Sequence, residues 1–188
     1  MSAHLTEAFT NPAIDAAHVF RHVLDAMAHP GRIVEVTGIA APAPCTPAAA
    51  AVLLTLVDDT TPLHLAGAHD CAPLRDWVRF HLGAPLADAA DAAFALGTWQ
   101  ALGPLLAYPM GSAEYPDRSA TLIVECAELQ NTGARLTGPG IETEARLSLP
   151  EVAAFQANAA CFPQGLDFLF TAGPQLAALP RSTKIGGC

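Results

Sequence analysis

The chain has 188 residues, of which 52% are hydrophobic and 14% are charged. This favours one folded domain over 1–188 with a substantial core and excludes intrinsic disorder as the ground state. The formal net charge is −9, and the nine lysines and arginines are scattered along the sequence, so neither a nucleic acid nor an anionic membrane is expected as a partner.

Targeting and membrane segments are also not expected. The N-terminus, MSAHLTEAFT, has neither the basic nor the apolar region of a signal peptide. The longest apolar run, PAAAAVLLTLV at 47–57, is about half as long as the ~20 residues that a membrane-spanning helix needs. The sequence therefore predicts a soluble cytoplasmic protein.

The first third of the chain predicts two helices with a strand between them, at 14–28, 32–36 and 47–57. Apolar residues recur at helical spacing in the first segment, and the HPG sequence at 29–31 ends that pattern. RIVEV at 32–36 is typical of a strand. Thr46 and Pro47 are the residue types that favour an N-cap and a first helical turn.

The middle of the chain predicts strands at LHLA (63–66) and AAFAL (92–96), an amphipathic helix at 73–82 and a short helix at WQALGPLL (99–106). An irregular segment follows at 107–120, since turn residues occur throughout it. TLIVECAEL at 121–129 is the strongest strand candidate, and it is too apolar for the edge of a sheet.

The last third predicts a strand at RLT (135–137), a turn at TGPG (137–140), a helix at 150–160, a strand at LDFLFTA (166–172) and a final strand at LAALP (176–180), followed by a polar tail. Helices and strands thus alternate over most of the chain. This alternation favours an α/β fold in which a mixed sheet has helices on both faces.

Four polar residues on the first helix, His18, His22, Asp25 and His29, are spaced i, i+4, i+7 and i+11. Two histidines four residues apart can bind one metal ion, with Asp25 as a third ligand. The same spacing is also that of the polar face of an amphipathic helix, and this is the interpretation that we adopt. We predict no bound metal.

The five cysteines, at 45, 71, 126, 161 and 188, contain no C-x-x-C pair, and we expect free thiols, most of them buried. The chain has one lysine, Lys184, in the polar tail. A cofactor that needs a Schiff-base lysine, such as pyridoxal phosphate, is therefore not expected. Neither G-x-S-x-G nor a G-x-x-x-x-G-K-[ST] phosphate loop occurs.

RLTGPGIE, at 135–142, places two glycines around a proline and raises the question of a phosphate cradle. The segment lacks the lysine and the hydroxyl residue of a phosphate loop, and Pro139 has no N–H to donate. Gly138 and Gly140 are better explained by the positive φ angles of a tight turn. Anion binding stays an alternative, with Arg135, Arg181 and Lys184 as its cations.

Six segments in order resemble one family, the PhnH proteins of the bacterial carbon-phosphorus lyase system. They run from Glu7 to Lys184 and are EAFTNPAIDAAHVFRHVLDAMAHPG, VLLTLVDDTTP, RFHLGAP, LTGPGI, FPQGLDFLF and LPRSTK. The first segment matches the family at His18, Phe20, Arg21, Met27, Pro30 and Gly31, whereas the family does not call for His22, Asp25 or His29.

The resemblance implies a three-layer α/β/α sandwich similar to the fold of pyridoxal-phosphate-dependent transferases, without their cofactor site. It implies a homodimer when the protein is isolated and a complex with subunits G, I and J in the cell. The implied role is that of an accessory subunit in alkylphosphonate catabolism, which supports the coupling of phosphonate to ATP, with loss of adenine, before the carbon-phosphorus bond is cleaved.

No catalytic, cofactor-binding or metal-binding residue is assigned from the sequence. The alternative function is a stand-alone enzyme for phosphorylated or phosphonate ligands, with a site at the homodimer interface formed by His18, Arg21 and the TGPG turn. The candidate contacts for an anion or an interface are His18, Arg21, Arg135, Thr137, Gly138, Gly140, Arg181 and Lys184.

Overall fold

The computed structural model describes residues 8–36, 39–40 and 42–187. The predictions made for the N-terminal seven residues and for Cys188 lie outside this range. The helices are α1 (Pro12–Ala28), α2 (Pro47–Leu56), α3 (Ala72–His81), α4 (Trp99–Leu102) and α5 (Val152–Ala159). The strands are β1 (Val34–Glu35), β2 (Leu63–Leu65), β3 (Phe94–Thr98), β4 (Thr121–Glu125), β5 (Ala134–Thr137), β6 (Ala145–Leu147), β7 (Asp167–Ala172), β8 (Gln175–Leu179) and β9 (Lys184–Gly186).

Six strands form the main sheet in the order β1-β8-β7-β4-β3-β2. Strands β2, β3, β4 and β7 run parallel, whereas β8 is antiparallel to β7 and β1 is antiparallel to β8. β4 is paired on both sides, and its central residues Leu122, Ile123 and Val124 are buried. The prediction of a mixed sheet in an α/β fold, with this strand in its interior, is confirmed.

One face of the main sheet, which we call the helical face, is covered by α1, α2 and α3. These helices pack on side chains that alternate along the strands, such as Leu65, Leu96, Ile123 and Leu169. α2 begins where the sequence predicts, because the Thr46 Oγ1 accepts the N–H of Ala49 at 3.3 Å and a proline occupies the first turn.

The opposite face, which we call the aromatic face, carries Phe168 and Phe170 of β7 together with Phe155 of α5. The Phe155 ring lies 4.9 Å from the Phe168 ring and 5.6 Å from the Phe170 ring, both edge to face. A three-stranded antiparallel sheet, β6-β5-β9, shares this face with α4 and α5.

Of the small sheet, the sequence predicts only the strand at 135–137, which lies within β5. The C-terminal strand corrects the sequence interpretation of the polar tail. Residues 184–186 form β9 and pair with β5, although the sequence there is polar and glycine-rich. The thiol prediction is corrected in part: the four described cysteines are free, but Cys161 is exposed and only Cys45 is fully buried. No helix in the described part of the chain is both long and apolar enough to cross a bilayer.

Candidate functional site

The TGPG turn packs against the C-terminal end of α1. Gly138 has φ +127° and Gly140 has φ +78°, so both glycines have the positive φ that the turn interpretation requires. A Cβ atom on Gly140 would lie 1.8 Å from the carbonyl oxygen of Ala28. Gly140 is thus needed both for the backbone conformation and for the close approach to α1.

This position of the turn disfavours anion binding. The turn contacts the carbonyl end of α1, where the helix dipole disfavours a negative ligand. His18 and Arg21 are both exposed on α1, and Arg21 precedes Ala28 by seven residues, about 10 Å along the helix axis. Within the described residues, no hydrogen bond joins either side chain to the turn. The structure therefore does not assemble His18, Arg21 and the turn within one chain.

Three other candidate contacts do share a surface, the outer face of the small sheet. Arg135 and Thr137 alternate with the buried Leu136 along β5, and Lys184 lies directly opposite Thr137 in the register. Arg146, which the sequence analysis did not single out, lies opposite Arg135. We call Arg135, Thr137, Arg146 and Lys184 the basic face.

The ion pairs that the structure describes on the basic face all involve Glu144. The Arg135 Nε donates to Glu144 Oε2 at 2.7 Å, and an Arg146 nitrogen lies 3.6 Å from Glu144 Oε1. All three side chains are about half exposed, which keeps each pairing weak in water. In the ion pairs that the structure describes here, one carboxylate thus serves two of the three cations of the basic face.

Arg181 has a different environment from the other candidate cations. Its guanidinium nitrogens donate to both carboxylate oxygens of Asp167, and another guanidinium nitrogen donates to the carbonyl oxygen of Pro116. Both charged side chains are less than one-fifth exposed. Arg181 therefore fastens β7 to the irregular segment at 107–120, and its donors are already used within the chain.

Of the four polar residues predicted on the first helix, His29 lies just beyond the end of α1, as its C-cap. Asp25 accepts two hydrogen bonds from Arg32, at 2.8 and 3.0 Å, and its carboxylate is also 3.0 Å from His29 Nδ1. The hydrogen bond from Arg32 is the main reason why the pKa of Asp25 is lowered. Within the described residues, no group of three histidine, cysteine, aspartate or glutamate side chains is arranged to hold a metal ion.

A buried polar junction lies where β4 ends and α2 begins. Glu125, the last residue of β4, accepts the backbone N–H of Thr46 at 2.7 Å through Oε1. Its other oxygen, Oε2, lies 3.1 Å from His69 Nε2. Both side chains are at least nine-tenths buried. The sequence analysis missed this junction, although a charged residue at the end of a buried parallel strand was a visible signal.

The thiols beside this junction stay protonated at neutral pH. Burial raises the pKa of Cys45 well above its usual value, and the nearby charges of Glu125 and Cys71 raise it further. Burial, followed by the charge of Glu125, raises the pKa of Cys126 to about 11. A protonated thiol is a poor nucleophile, so neither cysteine has the activation that covalent catalysis needs.

An apolar groove of about 870 Å³ lies on the aromatic face. It lies between the segment Trp99–Met110 and α5, and its apolar walls include Leu105, Leu106 and Ala154. Among the described residues that line it, Glu151 is the only charged one. The Trp99 Nε1 donates to Glu151 Oε2 at 3.1 Å. We call this cavity the Trp99 groove.

Comparisons with known proteins agree on one family. The family model described as "Bacterial phosphonate metabolism protein (PhnH)" matches residues 7–186. A relative from Rhizobium meliloti (strain 1021), "Alpha-D-ribose 1-methylphosphonate 5-triphosphate synthase subunit PhnH", is 39% identical over 189 residues, which cover 95% of this chain and 94% of the relative. A protein from Stutzerimonas stutzeri, "Putative C-P lyase subunit protein HtxG", is 33% identical over 180 residues, which cover 88% of this chain and 83% of that protein.

Proposed function

Because the chain belongs to the PhnH family of bacterial phosphonate metabolism proteins, we propose that it is an accessory subunit of the carbon-phosphorus lyase core complex. In this role it supports the coupling of an alkylphosphonate to ATP before the carbon-phosphorus bond is broken, and it acts in the cytoplasm. The observation that carries the proposal is the 39% identity, over 95% of the chain, to a subunit of ribose 1-methylphosphonate 5-triphosphate synthase.

The geometry supports a role based on contacts with other proteins. α1 has an outer surface that carries the half-exposed apolar side chains Phe20 and Leu24, in addition to the buried surface formed by Val19, Val23 and Ala26. A helix with apolar residues on two sides typically packs against its own core on one side and against another protein on the other. We propose that this outer surface of α1 forms the homodimer of the isolated protein, and that subunits G, I and J are its partners in the complex.

We also propose that the fold resembles that of pyridoxal-phosphate-dependent transferases but lacks their cofactor site. The mixed sheet with parallel central strands is compatible with it. Lys184 lies in β9 of the small sheet, exposed and opposite Thr137. We expect that incubation with pyridoxal phosphate followed by borohydride gives no stoichiometric adduct at Lys184.

A second candidate function rests on the basic face. Arg135, Arg146 and Lys184 are exposed cations with one carboxylate between them, and this arrangement suits a phosphorylated or phosphonate ligand bound at an interface between two copies. Under this alternative, ATP or methylphosphonate raises the melting temperature of the isolated protein, and Lys184→Ala removes that increase. If neither compound changes the melting temperature, the stand-alone enzyme loses its support.

Deletion of the gene tests the accessory-subunit proposal directly. We expect that the deletion strain does not grow on methylphosphonate as sole phosphorus source, that it grows normally on phosphate, and that a plasmid copy restores growth. Wild-type protein co-expressed with the other lyase subunits should co-purify with tagged subunit I. Growth of the deletion strain on methylphosphonate, together with no co-purification, would contradict the proposal.

A further inference from the structure

We propose that the Trp99 groove is the docking site for a partner subunit, and that the docked segment of this partner presents an apolar side chain next to a lysine or arginine. The inference rests on the proposed function for the existence of the partner. The docking surface and the chemistry of the docked segment follow from the groove itself.

The shape and composition of the groove favour a protein as the occupant. Leu106, on its wall, is 84% exposed, and Phe162, next to the lining residue Cys161, is 60% exposed. Large apolar side chains exposed to this degree project away from the core, so a small ligand inside the groove would leave them in water. The fully buried part of a protein interface is rich in tryptophan, methionine and apolar side chains and poor in charges.

The charge in the groove determines which type of side chain the partner must provide. Glu151 is the only charged side chain in the part of the lining that the structure describes, and the Trp99 indole N–H holds one of its oxygens in place. Its other oxygen, Oε1, has no hydrogen-bond partner among the residues that the structure describes. A carboxylate that becomes buried in an apolar interface has to be paired with a cation, because an unpaired buried charge is strongly destabilising.

Trp99 strengthens the preference for a cation. Its ring packs against the Phe155 ring at 4.6 Å, an arrangement that fixes the indole beside the carboxylate. Lysine and arginine are attracted to the face of an indole as well as to a carboxylate. Leu105 and Leu106 then provide an apolar surface for the neighbouring side chain of the partner.

The same charge argues against a second copy of this chain in the groove. Each copy has nine lysines and arginines against 18 aspartates and glutamates, so a second copy has few cations with which to pair Glu151. A basic segment of another subunit provides such a cation. The outer surface of α1 and the Trp99 groove therefore serve different partners, the first another copy of this chain and the second a different subunit.

Co-purification of variants with the tagged complex tests this assignment. Leu106→Asp and Glu151→Lys are each co-expressed with the other lyase subunits and recovered on tagged subunit I. We expect at least ~tenfold less of either variant than of wild type, since both changes act at the centre of the contact. Glu151→Gln should fall between them and wild type. Phe20→Asp, on the outer surface of α1, should weaken the isolated dimer but remain in the complex.

Matched controls come from α3, on the opposite face of the sheet. Phe80 is 62% exposed and the Asp76 side chain is 56% exposed, so Phe80→Asp and Asp76→Lys repeat the two chemical changes away from the groove. Melting temperatures show that each variant is folded, and Leu106→Ser replaces the aspartate variant if that one is unstable.

The outcomes separate this inference from the proposed function. If wild type itself is not retained by the complex, the proposed function fails. If wild type is retained and both groove variants are retained equally well, the docking assignment is wrong while the function stands. The assignment is also wrong if the α3 variants lose retention as much as the groove variants do.

Discussion

The two faces of the main sheet are covered by different means. On the helical face, α2 presents four consecutive alanines, Ala48 to Ala51, all with no exposed surface. On the aromatic face, Phe155, Phe168 and Phe170 fill the space together with Trp99. One face is thus packed by the close approach of a helix with small side chains, and the other by large rings.

This difference determines which kind of substitution destabilises each face. A helix that approaches a sheet through alanines has no free volume, so it is sensitive to added atoms. A cluster of rings depends on the volume of each ring, so it is sensitive to lost atoms. Four predictions test this contrast, in order of decreasing expected effect.

Removal of the central ring should have the largest effect. Phe155 is fully buried and contacts the rings of Trp99, Phe168 and Phe170. Phe155→Ala should lower the free energy of unfolding by about 3–5 kcal/mol, because a cavity remains that the surrounding rings cannot fill. Chemical denaturation measures the change. Phe162→Ala, at a ring that is 60% exposed, is the control and should change stability by at most ~0.5 kcal/mol.

Gly140 lies between elements of the two faces. Its turn follows a strand of the small sheet, on the aromatic face, and contacts the end of α1, on the helical face. Gly140→Ala should destabilise the protein by about 3 kcal/mol, from the positive φ and from the contact with the Ala28 carbonyl oxygen. Gly173 also has a positive φ, +55°, but a Cβ there meets nothing within 4 Å. Gly173→Ala should therefore cost only about 1 kcal/mol. Equal losses in the two variants, measured by chemical denaturation, would show that steric contact with α1 contributes nothing.

An enlarged side chain on α2 tests the close approach on the helical face. Ala50 is fully buried among the side chains of that face, so Ala50→Leu should lower the free energy of unfolding by about 1–3 kcal/mol. The matched control is Ala153→Leu on α5, at an exposed position on the other side of the sheet, where the change should stay within ~0.5 kcal/mol. If Ala50→Leu is as neutral as the control, α2 does not pack as closely as its alanines indicate.

The sequence was sufficient for the elements of the main sheet. Over residues 8–36, 39–40 and 42–187, the five α-helices and the six strands of that sheet fall within or next to the predicted segments, because periodicity and end signals such as Thr46-Pro47 and HPG are local. Apart from β5, the small sheet was missed for the opposite reason. β6 and β9 are three residues long, and their pairing with β5 joins positions far apart in the chain, which no local pattern records.

The candidate site was less predictable than the fold. Positive φ at Gly138 and Gly140 followed from the turn chemistry, but the partner of that turn, the end of α1, did not. The pairing of Arg181 with Asp167 and the burial of Glu125 beside His69 depend on tertiary contacts. Sequence separation hides such contacts, so charged residues that look alike in the sequence have different roles in the structure.

The smallest predicted effect concerns the anchor of α2, which holds the alanine-rich helix in place on the helical face. Thr46 Oγ1 accepts the N–H of Ala49, and the backbone N–H of Thr46 is bound by Glu125 at the end of β4. Thr46→Ala removes the first of these bonds and keeps the second. We therefore expect a loss of about 1 kcal/mol, the usual value of an N-cap side chain, and a decrease in melting temperature of about 2–4 °C.

Two variants control this measurement. Thr46→Ser retains an oxygen that can accept the same hydrogen bond, so it should preserve most of the stability. Thr98 precedes the four-residue helix α4 on the aromatic face and makes no side-chain cap, so Thr98→Ala should leave the melting temperature nearly unchanged. Equal decreases for Thr46→Ala and Thr98→Ala would contradict the prediction, because the loss would then reflect the change from threonine to alanine and not the cap. A decrease confined to Thr46→Ala would show that the position of α2 on the sheet depends on its first turn as well as on its small side chains.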